Sequence, residues 1–432
     1  MYVSESISVN EKGHLTMNGA DTVELAAEFG TPLLVYSEDG IRANCRKFVN
    51  SIKDNYAGKG RVLYASKAFC CKELCRIAAD EGMGLDVVSG GELFTALAAG
   101  FPVDKIYFHG NNKTAEELKY ALSVGVGRII VDNKDELNYI CALAGSLGKT
   151  AKIFLRIKPG IDAHTHAFIK TGQIDSKFGF ALETGEAMAA VELCFATKNV
   201  ELCGLHCHIG SQIFDITPFE HAAEVMIRFI ADIKKKTGIE LHELNLGGGF
   251  GIKYKLCDSP EDFSLYMKKV ADSVKKTSER YNVETPFILL EPGRSIVGAE
   301  GLTLYRVGGV KQIPDVRTYV SVDGGMGDNP RYILYQAEYE AVCANKASLP
   351  RTKTVTIAGK CCESGDLIQE HTLLQEVEPG DLLAILSTGA YCYSMASNYN
   401  RIPRPAVVMI KDAKARIIIR RERYEDLTIN DV

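Results

Sequence analysis

The sequence predicts a chain of the α/β class in two parts: a (β/α)8 TIM barrel inserted into an all-β domain of β-sandwich or β-barrel type. Three observations predict it. From Arg61 onward, eight short apolar runs recur with amphipathic helical patterns between them. After Arg294 the apolar runs continue without regular helices, punctuated by glycine and proline. Ahead of both lies a stretch too short to fold alone, whose run 31–36 is expected to pair with the β-domain. The barrel is thus placed at residues 40–298, and the β-domain at 1–39 plus 299–432.

The barrel strands are read at 62–66, 85–89, 105–109, 128–132, 152–157, 202–206, 241–246 and 287–291. Between them, 72–81, 91–99, 114–124, 134–147, 218–236 and 260–281 repeat apolar residues at three- and four-residue spacing, the period of a helix with one buried face. Eight such units close into a barrel. An open doubly wound sheet would more often show fewer strands and a glycine-rich turn after the first, which is absent. In the β-domain, 303–310, 318–322, 354–357, 382–386, 406–410 and 415–420 read as mostly antiparallel strands.

Composition narrows the function. A chain of 432 residues exceeds what one compact domain usually holds. With 50 basic against 55 acidic residues and a net charge of -5, neither nucleic acid nor an anionic membrane is expected as a partner. No apolar run approaches a membrane span. The first ten residues lack a basic segment followed by an apolar one, so no secretory signal is expected and the location is read as cytoplasmic. The 13 cysteines are odd in number, and many, such as Cys75, Cys141 and Cys194, sit in apolar segments; they read as free thiols. The adjacent pairs Cys70-Cys71 and Cys361-Cys362 are not metal knuckles.

Barrel enzymes carry their sites where the strands end. Here those ends are polar or glycine-rich: Lys67 after the first strand, Asp86 on the second, His109 after the third, Arg156 on the fifth, His206 and His208 with Ser211 at the sixth, Gly247 to Gly249 after the seventh, and Glu291, Gly293 and Arg294 after the eighth. The bare backbone of the triple glycine is expected to offer N–H groups to an anion, with Arg294 and Ser211 completing a phosphate cradle. Lys67 beside such a cradle suggests a Schiff base with a phosphorylated aldehyde cofactor; an ordinary solvated lysine is the other reading. Glu291 then keeps a pyridine nitrogen protonated, or simply pairs with Arg294 or another barrel charge. His206 and His208 admit a metal pair, as in some barrel hydrolases, but no further ligand motif supports it.

The segments YASKAF (64–69), GLDVVSGGEL (84–93), HGNNK (109–113), HTHAFIKTGQIDSKFGF (164–180), HCHIGSQ (from 206), LNLGGGFG (244–251), EPGRSIVG (291–298), CESGD (362–366) and GAYCYSMASNYN (389–400) resemble the diaminopimelate decarboxylase family. That family lies within the fold type III pyridoxal-phosphate decarboxylases. The resemblance implies pyridoxal 5'-phosphate as cofactor and an amino-acid substrate, meso-diaminopimelate, converted to L-lysine and CO2. It implies Lys67 as the lysine joined to the cofactor, His208 stacked on its ring, and Glu291 on its nitrogen. Asp86, Ser211, Gly248, Gly249, Gly293, Arg294 and Tyr391 are implied as further cofactor contacts. Arg294, Arg331, Tyr335, Glu363 and Tyr391 are implied as the substrate set, with Cys362 as the acid that returns a proton. It also implies a homodimer in which Cys362 and Glu363 reach the partner's site. Pro330 and Tyr332 depart from the common pattern, which puts the shape of that loop in question. Rival readings are a sister decarboxylase acting on ornithine, lysine, arginine or carboxynorspermidine, and a non-catalytic cofactor-binding homologue. A racemase of the same fold is disfavoured by Glu291, because alanine racemases set an arginine against the nitrogen.

Overall fold

The computed structural model describes residues 2–161 and 175–432. They form two compact units, one of residues 44–251 and 260–293, the other of residues 1–43, 252–259 and 294–432.

The first unit is a closed parallel barrel. Its strands are Gly60–Ala65, Gly84–Val87, Ile106–Phe108, Arg128–Val131, Ala151–Lys158, Val200–Cys207, Glu243–Asn245 and Phe287–Leu290. Each pairs in parallel with the next, and the eighth returns to the first through Leu290 opposite Val62. All eight predicted strands are present. The two-residue strand Phe180–Ala181, absent from the sequence reading, adds to the fifth.

Local chemistry sets the helix ends. Thr114 and Glu117 form a reciprocal capping box ahead of Ala115–Val124, and Gly125 closes that helix in the left-handed region. Asn133 caps Lys134–Ser146 by accepting from Glu136. Thr217–Thr237 opens with a proline in its first turn and ends in three lysines and Gly238, matching the helix dipole.

Inside the barrel, Leu63, Tyr107, Ile130, Phe154 and Leu289 pack into an apolar layer. Side chains along a strand alternate between faces. Two residues beyond each of four members of this layer, on the same inward face, stands a polar group: His109 after Tyr107, Asp132 after Ile130, Arg156 after Phe154, and Glu291 after Leu289. The apolar layer closes the barrel below, and the polar ring is the layer above it.

The second unit is a mostly antiparallel sheet domain. Leu33–Ser37 is buried along its whole length and lies between Gly301–Ile313, antiparallel to it, and Ala406–Lys411, parallel to it. The N-terminal run therefore does pair with the β-domain. Gly301–Ile313 changes partner part-way. Its first half pairs with Leu382–Leu386 and its second, past a bulge at Gly308, with Arg317–Val322. The predicted strands of this domain are all present; Ala341–Cys343 and Leu367–Leu374 were not anticipated. All 13 cysteines are free. Among the described residues no helix is long and apolar enough to cross a membrane.

Lys113 shows how tightly the barrel mouth is built. Its buried ammonium donates to Gly110 O (2.8 Å), Ile130 O (2.7 Å) and Glu136 Oε1 (2.6 Å). Removing one partner of such a pair strands the other charge. Lys113→Ala is expected to destabilise the chain by about 3–5 kcal/mol at pH 8, and by less at pH 5, where the stranded Glu136 takes up a proton. Urea unfolding at both pH values checks this; equal, small losses at the two would show that the pair is dispensable.

Candidate active site

Lys67 sits in a single turn of 3-10 helix, Ser66–Ala68, directly after the first barrel strand. It is exposed, while its neighbours Ser66 and Ala68 are buried. The turn is held from three sides. Ser66 Oγ donates to Glu92 Oε2 (2.8 Å), which also accepts from Val88 N (2.7 Å) beyond the second strand. Tyr64 Oη donates to Phe69 O (2.8 Å), and Ala65 N donates to Pro292 O (3.0 Å) after the eighth strand. A flexible lysine stem is thus mounted on a rigid base, its ammonium free to meet a ligand.

Glu291 is buried at the centre of the polar ring. His109 Nε2 lies 2.8 Å from its Oε1, Asn245 Nδ2 donates to Oε1 (2.6 Å), and His206 Nε2 lies 3.2 Å from Oε2. Burial alone would raise this carboxyl. The fields and hydrogen bonds of His109 and His206 outweigh it and hold Glu291 well below the usual carboxylate range. Burial pulls His206 down to about 4, so a neutral imidazole donates its one proton to Glu291. A carboxylate offers about four lone-pair positions. Three neighbours engage it here, which leaves room for one more donor. The alternative pairing of Glu291 with Arg294 is not the arrangement found.

Asp86 is buried 3.8 Å from His109 Nε2, and its Oδ1 has no hydrogen-bond partner among the described residues. Burial raises its carboxyl to about 6, against the pull of His109 and the charge of Lys67. His208 accepts from Gly248 N (3.2 Å) at Nδ1, which puts its proton on Nε2. Burial, then the charge of Lys67, keeps it neutral well below the usual imidazole range.

The glycine cradle differs from expectation. Gly247 N donates to Asn245 Oδ1 (2.9 Å) and Gly248 N to His208, so two of the three N–H groups are spent inside the protein. Gly249 is the one whose N–H no described residue engages. Gly248 is required for a different reason: a Cβ there would stand 2.1 Å from Glu291 O. The glycine lets the seventh strand end pass against the eighth.

The second unit holds its own polar cluster. Arg294 donates to Tyr254 Oη and lies over the rings of Tyr254 (5.6 Å) and Tyr391 (4.8 Å). Arg331 lies over Tyr335 (5.2 Å) and Tyr391 (5.3 Å). Arg331 and Tyr335 are four apart on the short helix Arg331–Tyr335, so they share a face. Pro330 is the residue before its first turn, where a missing N–H costs nothing, and Tyr332 is tied to Glu370 (2.5 Å), so neither residue breaks the loop. Arg331 is buried; its Nε has no hydrogen-bond partner and no described carboxylate pairs with it. Cys362 and Glu363 are exposed, on a loop between Lys353–Ala358 and Leu367–Leu374. Residues 164–174 of the longest motif lie outside the described residues.

Residues 39–298 match the family model for the pyridoxal-dependent decarboxylases, pyridoxal binding domain. The chain is 50% identical over 422 residues to the diaminopimelate decarboxylase of Bacillus methanolicus, with 98% of each chain covered. The chain belongs to the diaminopimelate decarboxylase family. It is also 48% identical to the diaminopimelate decarboxylase of Bacillus subtilis (strain 168), over 100% of this chain and 98% of that one. The crystal structure of diaminopimelate decarboxylase from M. jannaschii, in complex with L-lysine, superposes with a TM-score of 0.91 at 37% identity, covering 100% of this chain and 99% of that one.

Diaminopimelate decarboxylases of this family use pyridoxal phosphate, and the residues described here fit it. Lys67 supplies an exposed amine, Glu291 an ionised carboxylate with an unfilled acceptor position, Asp86 an unpartnered buried oxygen, and Gly249 an unspent N–H. His206 and His208 do not act as a pair: His206 joins His109 and Glu291, and His208 takes the Gly248 N–H. Sequence reasoning places His109 and Arg156 at strand ends without a role and gives His206 only a rival reading as a metal pair with His208. It missed Asn245 altogether, whose signal was its place at the end of the seventh strand, ahead of the glycines.

The raised Asp86 carboxyl has a stability consequence. An unfolded aspartate titrates near 3.9, so between pH 4 and 6 the folded state of the cofactor-free chain binds the extra proton. Stability falls as pH rises through that window. Asp86→Asn is expected to flatten this part of the pH–stability curve, as measured by thermal unfolding of the cofactor-free protein; an unchanged slope would remove Asp86 as its source.

Proposed function

We propose that the protein decarboxylates meso-diaminopimelate to L-lysine and CO2, as a step of lysine biosynthesis, in the cytoplasm and as a homodimer. The observation that carries the reading is the exposed Lys67, mounted past the first strand of a chain from this family, with Asp86 on the second strand, Glu92 in the helix after it and His208 past the sixth near enough to feel its charge. Bound pyridoxal phosphate supplies the electron sink that lets a carboxylate leave an amino acid as CO2.

The chain's residues do the rest. Lys67 would hold the cofactor through its exposed amine. Glu291, kept ionised by His109 and His206, would offer its remaining acceptor position to the cofactor's ring nitrogen and so favour the protonated form of that nitrogen. His208, neutral and fixed by Gly248, would be the residue that packs on the cofactor's ring. Ser211, Gly293, Arg294 and Gly249, through its unspent N–H, would receive the phosphate, while Gly248, whose N–H is given to His208, shapes the turn beside them.

Arg331 favours a substrate with a second carboxylate. A buried guanidinium without an anion is costly, and a distal carboxylate satisfies it in a two-pronged hydrogen bond. Ornithine, lysine and arginine have no such group. Arg294, Tyr335 and Tyr391 line the same recognition set. Cys362 and Glu363, exposed on their loop, act in the partner subunit's site: Glu363 accepts from the far ammonium group, and Cys362 returns a proton to the carbon that lost CO2. The thiolate then recovers its proton from water.

Purified holoenzyme offered meso-diaminopimelate, ornithine, lysine and arginine in parallel should release CO2 from the first alone, with one lysine formed per CO2. Turnover of ornithine or arginine at comparable kcat/KM would move the assignment to a sister decarboxylase. Lys67→Ala should bring CO2 release below detection, and substantial residual turnover would sink the scheme. In sedimentation velocity the active species should be a dimer; full activity in a monomer would overturn the placing of Cys362 and Glu363.

A further inference from the structure

Two residues of the motifs around Cys362 have no part in the scheme above, and both hold its backbone. Asp366 ends the CESGD segment and is buried. Its Oδ2 accepts from Cys361 N (2.7 Å) and its Oδ1 from Met326 N (2.6 Å). The same residue closes the base of the loop: Gly359 N donates to Asp366 O (2.8 Å), and Asp366 N donates to Glu363 O (3.1 Å). Room for this carboxylate is made by two glycines. A Cβ at Gly359 would stand 2.2 Å from Asp366 Oδ2, and one at Gly325 would stand 2.5 Å from it. Asn400 ends the GAYCYSMASNYN segment. Its Oδ1 accepts from Cys362 N (2.7 Å), and its own backbone is left-handed, at φ 51°.

The consecutive peptide N–H groups of Cys361 and Cys362 are therefore held by acceptors from two separate segments. Asp366 also ties this loop to residues 324–328, the segment that leads into Arg331. Lys360 N adds a second tie, to Gly324 O (2.9 Å). An exposed loop of small and charged residues has little packing to fix it, so these charged and amide acceptors supply most of its order.

We propose that Asp366 and Asn400 are positioning residues for Cys362: they hold the two consecutive peptide N–H groups that lead into it, those of Cys361 and of Cys362 itself, so that its thiol delivers a proton to one face of one carbon. The inference rests on the reading of Cys362 as the proton donor, and it assigns neither residue a contact with substrate. Through Met326, Asp366 sets the loop that carries the donor and the loop that leads to the substrate's arginine with the same carboxylate.

The test separates proton delivery from decarboxylation by counting lysine formed per CO2 released in the holoenzyme. A merely structural role lowers both together and leaves the ratio at one. Asn400→Gly removes the acceptor but keeps the left-handed backbone, whereas Asn400→Asp keeps both. Asn400→Gly is expected to cut lysine formation by about tenfold to a hundredfold, the cost of misplacing a reacting group by about 1 Å, with less than one lysine per CO2 and KM little changed. Asn400→Asp should restore the ratio. Asp366→Asn should act in the same direction as Asn400→Gly. Hydrogen exchange provides a readout independent of activity: the amides of Met326 and Cys361 should exchange faster in Asp366→Asn, and that of Cys362 in Asn400→Gly. Cys362→Ala is the reference. If it lowers the ratio while Asn400→Gly and Asp366→Asn leave it at one, the positioning inference is overturned and the donor stands. If Cys362→Ala itself keeps one lysine per CO2, the donor assignment falls, and this inference with it.

Discussion

The structure depends on one geometric constraint: in a short strand that starts in the apolar layer of a barrel, the next residue on the same face is two positions on, nearer the mouth. Tyr107, Ile130, Phe154 and Leu289 build the dry layer. His109, Asp132, Arg156 and Glu291 follow them at that spacing. The polar ring is thus placed at one height by the backbone repeat, and no loop has to fold precisely to bring it together. Shifting any one of these strands by a residue would put its polar group on the opposite face, against the surrounding helices, where a charge has no partner. The apolar layer and the site therefore specify each other.

Burying so many titratable groups is tolerable only because they neutralise one another in a particular pattern. Glu291 is kept ionised by His109 and His206, with Asn245 donating to it as well, and Asp132 and Arg156 stand 4.0 Å apart in the same ring. The guanidinium of Arg156 also lies over Phe178 at 4.2 Å. Lys67 is the exception, exposed where its neighbours are buried. A network that leaves an oxygen of Asp86 without a hydrogen-bond partner, keeps an acceptor position open on Glu291 and leaves its amine to the outside is arranged for an electrophile that brings its own anionic group.

The β unit answers a different need. Its arginines lie on aromatic faces, Arg294 on Tyr254 and Tyr391, Arg331 on Tyr335 and Tyr391. Aromatic faces stabilise a buried guanidinium without consuming its hydrogen-bond donors in the way a carboxylate would. Such a cluster keeps its capacity for an incoming anion. The exposed loop of Cys362 and Glu363 is tied down by the acceptors Asp366 and Asn400.

The sequence by itself determined the eight strands and the domain that follows them, because hydrophobic period and turn chemistry are local. It also determined the candidate chemistry at Lys67, Glu291 and Cys362, because their motifs are contiguous. Tertiary structure alone decided which groups share a hydrogen bond. Glu291 meets Asn245 and His206 across 46 and 85 residues of sequence, and Asp366 meets Met326 across 40, separations at which no local pattern carries a signal. The glycine cradle shows the limit from the other side. Three consecutive glycines were legible as bare backbone, but two of their N–H groups are turned to Asn245 and His208, because neighbouring strand ends reach them first. Residue types and their order along a strand belong to the sequence; the competition among buried donors for each acceptor is settled only when the barrel closes.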